Sequence, residues 1–258
     1  MDEEQRISAC KASVRQIYTM LHSSPNDWRY YIVTARGVIA SIESTTFMHS
    51  SSRVAEQTWL VNGLQQLAYH DADNGNVPDV ADWCTRQWLT ILQRHPDNVP
   101  ALNGIGQNWL SRAQVSLARI HRVEQSSSSS GGSSTRVTLS SGSMTGSEEE
   151  RQASQAAIEA EARLHTADYV EARGILLPAT EYLNKAVEAA QAQNMLTGDL
   201  LATTAEAYMS LGNVSYTRIN EQYFHQAISY LRMATNVPGY SLSPHLQQYL
   251  DDYGRLME

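Results

Sequence analysis

The chain has 258 residues, with 19 basic and 27 acidic side chains and a formal charge of -8. That length can bury a full core, and the acidic balance excludes bulk attraction to nucleic acid or anionic lipid, though not a local basic patch. Seven Pro and fourteen Gly are too few for a fibrous chain, and the longest apolar runs fall far short of a bilayer span.

In chain order, Met1 to Gln5 show neither the basic nor the apolar region of a secretory leader, so none is expected. Apolar spacing of three and four then predicts helices over 3–22, 27–47, 54–71, 78–95 and 99–123. Ser23-Ser24-Pro25-Asn26, Asp73-Asn74-Gly75-Asn76 and Pro96-Asp97-Asn98 separate them. From Gln125 to Ser147, eleven of 23 residues are Ser and four are Gly. Such a stretch buries too little apolar area to offset its ordering entropy and is expected to be a disordered loop. Helices follow over 148–171, 173–193, 196–211, 216–236 and 243–257, broken at Gly212-Asn213 and Pro238-Gly239. The expected organisation is therefore 1–124, a loop over 125–147, and 148–258. An even set of paired antiparallel helices with short turns predicts an all-α solenoid. Cys10 and Cys84 lie in predicted helices without metal or redox spacing, which points to a reducing compartment, cytoplasm or nucleus.

Two stretches carry a repeat. The Pro96-Asp97-Asn98 turn opens a helix with Leu102, Ile105, Gly106 and Trp109 in a large, apolar, small, aromatic order, preceded by Cys84, Trp88 and Ile91. Further on, Ala179, Leu183 and Ala186 lead to Leu201, Ala205 and Tyr208, then to Phe224, Ala227, Leu231 and Ala234. A final helix repeats the pattern with Leu246, Leu250 and Tyr253 and is otherwise polar, as a terminal cap is. This pattern resembles the tetratricopeptide repeat, a helix-turn-helix unit whose small residues let paired helices approach. The resemblance covers about three degenerate units over residues 54–258, with a Ser-rich interruption of the unit begun at Leu102.

The family's register implies a right-handed stack of antiparallel pairs, an α-α superhelix, whose first helices line a concave groove. It places Asn103, Gln107, Leu110 and Ser111, then Ala202, Glu206, Met209 and Ser210, on that groove, with Gln247 and Asp251 extending it. The positions that in chaperone-binding members clamp a terminal carboxylate are here Asn103, Gly104 and Gln107, then Ala202, Thr203 and Glu206. None is lysine, and Glu206 repels a carboxylate.

No constellation for catalysis emerges. Gly104-Ile105-Gly106 has Trp109 where a dinucleotide loop needs its third glycine, and it sits within a helix, so close helix packing accounts for it better. The eight histidines have no metal-ligand spacing, and no metal or cofactor is expected. Arg112, Arg119 and Arg122 make a candidate basic stripe, the last about 60° round the helix from Arg119, with a solvated and partly paired face as the plainer alternative. The expected function is non-enzymatic: an adaptor or complex subunit binding a peptide or helix of another protein, with neither membrane nor nucleic acid as client. The alternatives are a structural subunit docking by its convex or N-terminal face, with Trp28, Tyr30 and Tyr31 as anchors, and an RNA-binding helical repeat using the arginine stripe.

Overall fold

A computed structural model describes residues 2–130 and 146–257. It is all-α: ten α-helices and no strand among the described residues. They are α1 (Glu3–Ser23), α2 (Tyr31–Glu43), α3 (Val54–Ala68), α4 (Pro78–Arg94), α5 (Val99–Ser130), α6 (Gly146–Arg163), α7 (Ala167–Ala192), α8 (Gly198–Asn213), α9 (Thr217–Thr235) and α10 (Pro244–Tyr253).

Local chemistry sets most of the boundaries. Pro78 and Pro244 occupy the first turns of α4 and α10, where a missing N–H costs nothing. The Thr197 hydroxyl caps α8 by accepting from the Leu200 amide at 3.3 Å. The helix expected over 27–47 is shorter, with 3-10 turns at Pro25–Tyr30 and Phe47–His49 on either side of α2. At its end the Ser44 and Thr45 hydroxyls bond back to the carbonyls of Ser41 and Ile42, each at 2.7 Å, a local alternative to further helix. The break expected near 171–173 lies instead at Leu164–Thr166. Through the expected break, Tyr169, Ala172, Leu176, Ala179, Leu183, Ala186 and Ala190 are buried at spacings of three and four, so burial carries α7 past Gly174 and even past Pro178. At the two ends of the expected loop over 125–147 the chain is helical, since α5 continues to Ser130 and α6 opens at Gly146. The loop's residues 131–145 lie outside the described residues.

Helices pair in an antiparallel sense and alternate helices run side by side. Glu3 accepts from the Thr46 amide at 2.7 Å, joining the start of α1 to the chain just past α2, and Cys10 faces Val38. Between α1 and α3 the contacts advance together: Glu4 with Arg53, Lys11 with Glu56, Tyr18 with Asn62. The antiparallel partner of α5 is α7, reached only after α6: Arg119 meets Asp168, and Gly106 lies against Leu183. One core joins α1 to α4 with Ala101 and Ile105 of α5; a second joins Val99 and Leu102 of α5 to α7–α10. A smaller third core lies where α5 meets α7 and the end of α8.

Candidate functional site

The core-facing positions of α1 are Ile7, Cys10, Val14, Ile17 and Met20. A second stripe of the same helix, Lys11, Arg15, Tyr18 and His22, falls at spacings of four, three and four and so shares one flank. This flank, with Thr19, and the Ala55, Glu56 and Trp59 side of α3 enclose an open cavity of about 850 Å³.

Its walls are fixed by short contacts. Lys11 Nζ lies 2.9 Å from Glu56 Oε2, and the ammonium holds that carboxyl below its usual range. Tyr18 donates its hydroxyl to the Trp59 carbonyl at 3.0 Å and accepts from Asn62 Nδ2 at 3.1 Å. The Tyr18 and Trp59 rings sit 5.4 Å apart and tilted by 34°, and the Arg15 guanidinium lies 6.0 Å from the Trp59 ring centre. Gly63 makes this approach feasible, since a Cβ there would come within 2.7 Å of both Val14 and Tyr18. Trp59 also lines a second cavity of about 260 Å³ between α3 and α5, with Asn62, Gln66, Asn103 and Gln107. One aromatic wall thus serves both cavities, making a groove that crosses α1, α3 and α5.

Of the positions implied by the repeat register, Asn103 and Gln107 line this groove, bonded to each other at 3.2 Å. Leu110 is packed between two core clusters. Ser111 lines a separate cavity of about 250 Å³ with Tyr69, Asn76, Arg112 and Glu171. On α8, Ala202 is only 6% exposed and belongs to the second core, and Met209 is partly buried there. Ala202 therefore offers no side chain to a ligand, because the α8 face it occupies is packed against. Glu206 lies 3.3 Å from His245 of α10, Ser210 is half-buried, and Gln247 is exposed and donates to Asp251 at 2.9 Å. The structure thus brings Asn103 and Gln107 together with Trp59, and leaves the α8 and α10 positions apart from them.

The arginines of α5 do not act alike. Arg112 covers the Trp109 ring at 4.7 Å. Arg119 pairs with Asp168 at 2.7 Å and with Glu171, pinning α5 to α7, and Arg122 Nε donates to the Ala118 carbonyl at 3.1 Å. Near the first turn Trp28 and Tyr31 pack on the core, while Tyr30 is 79% exposed. The α1 flank is not among the sequence-derived site positions, because residues 3–22 are legible only as a helix with an apolar face. Its signal was the cation-aromatic spacing of residues 11, 15, 18 and 22, with no acid among them.

Among the described residues, no three His, Cys, Asp or Glu side chains are grouped to hold a metal ion, and no helix is long and apolar enough to cross a membrane. Cys10 and Cys84 are free and buried, and burial pushes both thiols up from their ordinary values. The chain matches no known family model, no curated protein and no solved structure.

Proposed function

We propose that the chain is a non-enzymatic binding protein, an adaptor or complex subunit, whose helix pairs stack as a superhelix in the tetratricopeptide manner. On this reading α1, α3, α5 and α8 are first helices, and the face shared by α1, α3 and α5 receives a segment of another protein. The observation that carries it is the groove across α1, α3 and α5, with Trp59 common to both of its cavities. Polar amides at Asn62, Gln66, Asn103 and Gln107 suit the backbone of a bound segment, and Tyr18 and Trp59 offer apolar area at low entropic cost. The buried free thiols fit a cytoplasmic or nuclear setting.

A second reading, docking by the outer face near the first turn, draws on Tyr30 and Val33, which are 79% and 74% exposed. Peptides selected from an unbiased display library against the whole chain separate the two. Loss of binding in Gln66→Ala with Asn103→Ala, and its retention in Tyr30→Ser with Val33→Ser, supports the groove. The reverse pattern moves the function to the outer face. Selected peptides that ignore both pairs would defeat both readings.

A further inference from the structure

The groove is not uniform in charge. On a chain of net charge -8, its α1 wall presents Lys11, Arg15 and His22, and Glu56 is the one carboxylate lining that cavity. Glu56 is engaged by Lys11, and no carboxylate among the described residues forms an ion pair with Arg15. The Arg15 guanidinium instead lies beside the face of Trp59 with five potential donors available to a ligand. Lys11 and Arg15 are one turn apart, about 6 Å along the axis, and His22 lies about 10 Å further on. An anion bound between Lys11 and Arg15 would meet both cations, and an apolar side chain beside it would meet Tyr18 and Trp59.

We propose that this end of the groove selects an acidic segment of a partner protein, with side-chain carboxylates directed to Arg15 and Lys11 and an adjoining apolar residue seated against Tyr18 and Trp59. The proposal rests on the groove reading and adds the partner's chemistry to it. Recognition is by internal side chains, so it needs no free C-terminus. Complementary charge speeds encounter and excludes basic segments, which the same wall repels.

The test uses the whole chain and a fluorescent peptide, acetylated and amidated at its ends, with glutamates flanking a Leu-Phe pair. Anisotropy should report binding that weakens about tenfold or more in Arg15→Glu, corresponding to about 1.4 kcal/mol or more. The Gln-for-Glu peptide should bind as poorly, and raised salt should weaken the wild-type complex. Arg15 is exposed, so the variant is expected to fold, with circular dichroism as the check. Equal binding of the Glu and Gln peptides, indifference to Arg15→Glu, or no binding of the acidic peptide overturns the proposal. A phosphoserine version that binds while the glutamate peptide does not would overturn it in favour of a phosphate ligand. Display-selected peptides that need Gln66 and Asn103 but carry no acidic residues would leave the groove standing and remove only its acidic preference.

Discussion

Gln65 shows how a single polar side chain joins three helices. It is 4% exposed and makes three side-chain hydrogen bonds: its Nε2 donates to the Gly104 carbonyl at 2.8 Å, and its Oε1 accepts from Trp88 Nε1 at 2.8 Å and Asn108 Nδ2 at 3.0 Å. Asn108 in turn accepts from Thr85 at 3.1 Å and from Tyr69 at 3.3 Å. Burial pushes the Tyr69 hydroxyl up to about 12, so it remains a donor across the neutral range. Gly104 is required beside this network because a Cβ would come within 2.5 Å of the Trp88 ring. Close packing, not a phosphate loop, is therefore the meaning of Gly104 as well as of Gly106. Removing the amide in Gln65→Met strands the Trp88 and Asn108 donors and should cost about 2–4 kcal/mol in urea unfolding. The exposed neighbour Gln66→Met should stay within about 0.5 kcal/mol. Similar losses in the two variants would deny the network its role.

At the scale of elements, the glycines divide by what faces them. At Gly106 an added Cβ would lie 2.6 Å from Leu183 Cγ and 3.2 Å from the Leu183 backbone nitrogen, whereas nothing lies within 4 Å at Gly174. Gly106→Ala should thus destabilise the α5–α7 pair by about 1–3 kcal/mol, and Gly174→Ala should stabilise α7 by up to about 1 kcal/mol, both read from thermal midpoints. Opposite signs at two glycines of paired helices make a sharp comparison. A titratable link joins α2 to α4, where Arg36 bonds Asp79 at 2.6 and 3.1 Å and holds its carboxyl below the usual range. A lowered folded value means stability that is present above about pH 4 and lost as pH falls through that value. Asp79→Asn should flatten the acid limb of a stability–pH curve, by a modest amount because both partners are half exposed. Legibility at this scale followed punctuation and spacing. Turns carrying Pro, Gly or Asn placed α3, α4, α8 and α9 closely, while the α6–α7 boundary, marked only by Leu164-His165-Thr166, was set by packing along α7.

Over the whole molecule, α5 is the joint between cores. Ile105 belongs to the cluster of α1–α4, and Leu102 to that of α7–α10. In a stack where each pair meets only its neighbours, local losses stay local. Ile105→Ala should therefore speed amide exchange mainly in α3 and α4, and Leu102→Ala mainly in α8 and α9; uniform acceleration in both would show one indivisible unit. The all-α class was legible because helical periodicity runs nearly throughout. The candidate site was legible only at Asn103 and Gln107, since a groove made by α1 and α3 depends on which flanks meet in space, and spacing within one helix does not report that. The pairing of α5 with α7 also has a consequence in time. Ser116 and Glu171 are 55 residues apart, whereas Trp88 and Gln65 are 23 apart. During synthesis α1–α4 can close on one another while α7 is still to be made, and α5 then waits with its Gly106 flank uncovered. The α1–α3 flank that the proposed function assigns to a partner is built from contacts that use no residue beyond α3, so its assembly does not depend on the C-terminal half of the chain.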